Sequence, residues 1–381
     1  MTVVRGRLQD VVVKLKLDAF PYSRFALALL IGVGGGSLFV AAKLPLPWML
    51  GAMVACTLAS LMKLKVAAPP MIRPPMLMVI GVMMGASFTP RLFGQVQQWW
   101  PATLGLLAFL LLSGITAVWY FRRFGGFDRT TAFFAGMPGG LVEMIERGEE
   151  QGGDGQTIAL VHSVRVLLIV MSLPFAVQWM TGASLTRTGG AVSMFETPMW
   201  AELLLLCCGL VGMLLGHVLR LPAKYLLGPM LASAAVHLTG WTNLKPPFEI
   251  VNFAQLILGV VIGCRFLGTP AATVVRIIKL SMGSTALLLG WTVAFAVLIG
   301  RLVDLEPVTV LLAYSPGGLA EMSLIALALH AEVAFVTAHH IIRVLLVMLL
   351  AAPIFNALGQ LDLSGPQADA RKLNPLSNRK T

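Results

Sequence analysis

Apolar runs of 15–25 residues recur along the whole chain, with short polar stretches between them. They fall at 24–42, 46–62, 75–90, 101–120, 157–180, 201–219, 225–239, 252–267, 281–300 and 332–356. Runs of this length that are nearly free of charge predict helices that cross a bilayer. Two stretches interrupt the pattern, MPGGLVEM at 137–144 and SPGGLAEM at 315–322, each placing a carboxylate among hydrophobic neighbours. Proline lacks an N–H and glycine tolerates unusual backbone angles, so Pro138-Gly139-Gly140 and Pro316-Gly317-Gly318 predict a break in a helix. Leu-x-Glu-Met can restart the helix beyond each break. The region 130–150 carries Glu143, Glu146, Arg147, Glu149 and Glu150 and makes a poor span. The expected fold is an all-α polytopic membrane protein, with about ten transmembrane helices and two re-entrant or broken-helix segments.

The two octapeptides belong to a longer duplication. A shift of 178 residues lays Pro138 on Pro316, Glu143 on Glu321, His162 on His340, Arg165 on Arg343, and Gly81 and Gly85 on Gly259 and Gly263. Near the start the shift is 177, which places LPLPWMLGAM (44–53) on LPAKYLLGPM (221–230). The organisation expected is an N-terminal cytoplasmic segment (1–23), repeat one (24–180), a linker (181–200), repeat two (201–358) and a polar tail (359–381).

Composition agrees with a membrane protein: 57% of residues are hydrophobic and 12% charged, against a soluble norm of about 25% charged. The net charge of +11 is scattered over short loops and the two ends, with no basic stripe, so no direct contact with nucleic acid is expected. The basic residues instead bear on orientation. If each Pro-Gly-Gly segment dips in and returns, each copy crosses five times and the second copy is inverted. In that arrangement 21 of the 28 Lys and Arg lie inside and 5 outside (Lys43, Arg91, Arg187, Lys245, Arg301), with 2 in the membrane. If the segments span fully, the numbers become 18, 8 and 2. Inversion is therefore expected, in a bacterial inner membrane, with both termini cytoplasmic. The N-terminus has no apolar core of signal-peptide type.

Broken backbone at membrane depth is tolerated only when protein buries it or it lines a watery cavity. Paired broken helices in inverted repeats build the substrate sites of many secondary transporters. Pro138, Gly139, Gly140, Pro316, Gly317 and Gly318 are thus candidate binding residues, and the bland alternative is a loop that only packs the repeats. Glu143 and Glu321 fit two roles, a cap on the restarted helix or a protonatable site in a cavity. Arg165 stands 11 residues after Asp154, about 16 Å along a helix and so near the middle of a ~30 Å core. Arg343 stands at the same depth after Glu332. An arginine there needs a partner or water, and His162 and His340 share its helical face. Such a pair can bind an anion or relay protons; the alternative is an internal Arg–Glu pair with Glu143 or Glu321. Asp154 and Glu332 read as simple caps.

Gly81-x-x-x-Gly85 and Gly259-x-x-x-Gly263 are spacings that let helices approach closely. The cysteines (Cys56, Cys207, Cys208, Cys264) lie in apolar runs without a C-x-x-C pair, and His217, His237 and His330 are isolated. No metal site, cofactor or catalytic nucleophile is expected.

The tandem P-G-G-L-x-E-M and H-x-x-R-V motifs, with LPLPWMLG and its echo LPAKYLLG, resemble the bacterial AbrB membrane family, whose members carry a duplicated domain. The resemblance covers about 25–356. Members of that family are labelled transcriptional regulator or ammonia monooxygenase; the resemblance assigns no residue roles. Neither label follows from these residues, which offer no exposed DNA-reading element and no clustered ligands. The expected function is a secondary transporter of a small, anionic solute, with partners limited to lipid and that solute, and oligomerisation open. A membrane regulator acting indirectly or through a partner is the alternative, and a monooxygenase subunit a more distant third.

Overall fold

A computed structural model describes residues 21–88, 90, 96–182, 193–221, 223–242, 244–266, 271–303, 305–329 and 331–360. Segments 1–20, 183–192 and 361–381, which hold most of the expected N-terminal segment and tail and half of the linker, lie outside the described residues. Among those described, the chain is all helical. The first half contains α1 (Tyr22–Ala41), α2 (Pro47–Leu61), α3 (Arg73–Gly85), α4 (Trp100–Tyr120), α5 (Arg129–Gly136), α6 (Leu141–Glu150) and α7 (Gly155–Thr181). The second contains α8 (Met199–Val218), α9 (Lys224–Leu238), α10 (Phe248–Gly263), α11 (Ala271–Val303), α12 (Pro307–Tyr314), α13 (Leu319–Ala328) and α14 (Val333–Gln360).

Every expected apolar run is a helix, and six are long and apolar enough to cross a membrane: Tyr22–Ala41, Gln97–Gly125, Gly155–Thr181, Met199–Val218, Val275–Val303 and Val333–Ala357. Three fall in each half. Helices α2, α3, α9 and α10 have 13–16 residues, or about 20–24 Å, less than a ~30 Å core. The surface fits a lipid contact. Leu30, Leu111 and Leu214 on α1, α4 and α8 are 70, 52 and 64% exposed, and contiguous apolar surface of this kind is rare on soluble monomers. Trp100 and Trp119, both exposed, flank α4. Nineteen residues of helix separate them, about 28 Å, the spacing of two interfacial aromatic belts.

Some boundaries differ from the hydropathy pattern. Helix α3 starts at Arg73, where Pro74 and Pro75 occupy positions that need no N–H, and it stops at Gly85 although apolar residues continue to Phe88. Helix α11 begins ten residues before the apolar run, and Arg276 in its first turns donates to the Gly125 carbonyl at 3.0 Å. Hydropathy marks where a helix meets lipid, not where the helix ends.

The two halves interlock through their short helices. Helix α3 packs on α9 and α10 on α2. A Cβ on Gly81 would lie 2.4 Å from the Leu226 carbonyl oxygen, and one on Gly259 would lie 2.3 Å from that of Met49. Gly85 similarly faces Met230, and Gly263 faces Met53. The Gly-x-x-x-Gly spacings therefore bring backbones together across the two copies, as expected. The start of α3 (Arg73, Leu77), the end of α10 (Val261) and Arg265 in the turn just beyond it share a cavity of about 460 Å³.

Candidate functional site

Both Pro-Gly-Gly segments are real breaks. Helix α5 ends at Gly136 and α6 begins at Leu141; α12 ends at Tyr314 and α13 begins at Leu319. Asp128 caps the start of α5 by accepting from the Thr131 N–H at 2.9 Å. Asp154 caps α7 by accepting from Gln156 and Thr157, as expected. The four motif glycines do not use left-handed backbone angles: Gly140 and Gly318 are extended, at φ −68° and −76°. Crowding explains them better. A Cβ on Gly139 would meet Val347 and Met144, and one on Gly317 would meet Met322.

A helix end leaves carbonyl groups without partners, and a buried end must find donors elsewhere. Helix α7 supplies them to α5. His162 Nε2 donates to the Phe134 carbonyl at 2.8 Å. Arg165 Nη1 donates to Met137 at 3.2 Å, and Nη2 donates to Ala135 and to Gly136. Helix α14 does the same for α12. His340 Nε2 donates to Leu312 at 3.0 Å, and Arg343 donates to the carbonyls of Ser315 and Gly317. The cation also sits at the negative end of a half-helix, where the backbone dipoles favour it. The H-x-x-R motif is thus the missing C-terminal cap of the broken helix, and this is why the two motifs recur together.

Arg165 and Arg343 are 1% and 4% exposed. The Arg–Glu pairing considered from sequence is not what holds them. Among the described residues neither Glu143 nor Glu321 forms an ion pair or hydrogen bond, and their carboxylates fold back over Gly140 and Gly318 at the start of α6 and α13. No side chain caps either start from the N-cap position. The Arg343 charge acts on Arg165, so the two breaks hold two buried like charges within electrostatic reach of one another. Each guanidinium keeps a buried Nε without a partner, and at the second break the buried Ser315 hydroxyl lacks one too. The breaks therefore combine positive charge, free donors and uncapped helix starts, a set that suits an anion.

The copies are not identical. At the second break, Arg343 Nη2 lies 3.0 Å from His340 Nδ1. A carbonyl can only accept and a guanidinium can only donate, so His340 must carry its proton on Nε2 and accept at Nδ1. His339, where repeat one has Val161, was not singled out from sequence. Its ring packs on Phe335 at 4.0 Å and near Tyr314 and Trp99, and it contacts Thr103 of α4. The signal available was its departure from the duplicated pattern.

The comparisons agree with the motifs. The profile of the family described as transition state regulatory protein AbrB matches residues 48–359. A Bacillus subtilis (strain 168) protein named "Uncharacterized protein YhjN" is 27% identical over 369 residues, covering 87% of this chain and 92% of its own length. An Escherichia coli (strain K12) protein named "Putative regulator AbrB" is 25% identical over 323 residues, covering 85% of this chain and 92% of its own. With a match across most of its length, this chain belongs to the AbrB family.

Proposed function

We propose that this protein is a secondary transporter of a small anionic solute, whose site lies between two inverted copies in a bacterial inner membrane. Ten helices cross, two broken segments re-enter, and both termini are cytoplasmic. The order of contacts along the short helices supports inversion. Gly81 and Gly85 meet Leu226 and Met230 in ascending order, so α3 and α9 run the same way; Gly259 and Gly263 meet Met49 and Met53, so α10 and α2 do too. The start of α3 meets the end of α10, so these run oppositely. Helices α3 and α10 are equivalent members of the two copies, and opposite running of equivalents is what inverted repeats require. The basic-residue distribution points the same way.

One observation carries the anionic substrate: Arg343 Nε and Ser315 Oγ, both buried and both without partners, stand at the second break beside an uncapped helix start. Buried donors of this kind are costly unless something accepts from them. The His340–Arg343 contact supplies a route to proton coupling. Protonating His340 turns Nδ1 from acceptor to donor, breaks the bond to Arg343, frees a guanidinium N–H and adds positive charge. Proton and anion then bind with mutual assistance, the linkage a symporter needs.

The test is uptake into vesicles containing only this protein. Radiolabelled small carboxylates and inorganic phosphate should accumulate with an inward proton gradient, and collapse of the gradient should abolish the accumulation. Arg343→Gln should lose uptake while the protein remains folded. No uptake or binding across such a panel, with Arg343→Gln behaving as wild type, overturns the reading. The name of the Escherichia coli relative favours a second reading, an effect on gene expression. In a transporter that effect is indirect, through the level of the solute moved.

A further inference from the structure

The cavity of about 460 Å³ between the copies has a size typical of small-ligand sites. Its walls are mainly apolar, with Pro70, Pro74, Leu77 and Val261, and Tyr225 adds a ring with a hydroxyl. Two arginines also line it, Arg73 and Arg265. Arg265 is half-buried and Arg73 exposed, and among the described residues neither forms a hydrogen bond or an ion pair. Arg265 feels the like charge of Arg73 and, from the second restarted helix, the opposite charge of Glu321. Glu321 makes no ion pair with it within 4.0 Å, so the carboxylate acts on Arg265 only from a longer distance.

The packing of the repeats does not explain this pair. The 178-residue shift that matches the motifs lays Arg265 on Ser87 and Arg73 on Val251. The duplicated frame is thus built without the guanidiniums at the equivalent place, and the charge is an addition to one side of the molecule. Two like charges converging on one cavity repel, and holding the half-buried Arg265 guanidinium without an acidic partner is unfavourable. An acidic group placed between them removes both costs.

We propose that this cleft binds a small organic anion, its carboxylate or phosphate held between Arg73 and Arg265 and its apolar body against the proline and aliphatic wall. Guanidinium suits this task because its planar donors match the oxygens of either acid. The same chemistry is offered by a free metabolite or by the headgroup of an anionic lipid. None of the residues of the Arg165–Arg343 breaks lines this cleft, and it exists whether or not the protein transports anything.

Cys264 lines the same cavity and is partly exposed, so it reports on the site in the wild-type full-length protein. Its modification by anionic and cationic methanethiosulfonates is followed by mass spectrometry of the Cys264 peptide. Electrostatic attraction should make the anionic reagent react about tenfold faster. Arg73→Gln or Arg265→Gln should bring the two rates together, and Arg73→Lys should keep the preference, which separates lost charge from lost folding. In detergent, benzoate and phenyl phosphate should slow the reaction severalfold and inorganic phosphate less, which identifies a soluble anion with an apolar body. If those probes fail but phosphatidylglycerol protects Cys264 in nanodiscs and phosphatidylcholine alone does not, the occupant is lipid. Equal rates for the two reagents in the wild type, or protection by none of these probes, overturns the proposal. Arg343→Gln should leave the Cys264 readout unchanged, so failure here and failure of the transport reading are distinguishable.

Discussion

Arg165 and Arg343 are each surrounded by carbonyl oxygens rather than carboxylates. Their first task is to close the ends of α5 and α12, and whatever remains of their donor capacity faces inward. A lysine keeps the charge but cannot bridge several carbonyls at fixed angles. Arg343→Ala should therefore lower stability by about 2–4 kcal/mol, the loss of charged hydrogen bonds plus stranded carbonyls. Arg343→Lys should restore less than half of it. Thermal unfolding in detergent checks both, and an alanine variant that melts with the wild type removes the capping role. Glu143 and Glu321 behave differently because nothing among the described residues binds them. Glu321→Gln should change the melting temperature little but weaken the proton dependence of uptake, which transport assays at several pH values measure.

At the scale of elements, the short helices decide how the halves meet. Helices α3 and α10 bring glycines against the backbone of the opposite copy, whereas Gly34 and Gly290 have open space where a Cβ would go. Gly81→Ala and Gly259→Ala should each cost about 1–3 kcal/mol through overpacking. Gly34→Ala and Gly290→Ala should be neutral or stabilising by up to about 1 kcal/mol, as helix propensity alone predicts. Parallel melting curves for the four variants check this. Equal effects at all four positions would contradict the close approach. The second half-helices also differ: α6 exposes charged residues, with an Arg147–Glu150 contact at 3.8 Å, while α13 is mostly buried. The same break thus meets two environments, one wet and one closed.

For the whole molecule, the pseudo-symmetry has a direct consequence. Lys43 and Arg220 are equivalent loop positions, 177 residues apart, and the inversion we propose puts them on opposite faces of the membrane. Cysteines placed at Lys43 and Lys245 should react with a membrane-impermeant reagent added to intact cells. Those at Lys63 and Arg220 should react only after permeabilisation. Labelling of Lys43 and Arg220 from the same side would leave the halves parallel and remove the shared site between opposed breaks.

The sequence by itself determined the helical class, the breaks, the duplication and the close-packing glycines. Each of these follows from local chemistry that repeats in the chain: apolar length, proline without an N–H, and matched polar residues in two copies. It also put Arg165 and Arg343 on the helices that meet the breaks. Their partners were decided only by the tertiary structure, because the carbonyls of residues 134–137 and the side chains of α7 lie 28–30 residues apart in sequence. Backbone acceptors have no signature in a sequence, since every residue carries one. The Arg73–Arg265 cleft was hidden for the same reason. Two scattered basic residues become a site only when α3 and α10 bring one helix start against the other helix end, and that meeting depends on how the copies pack.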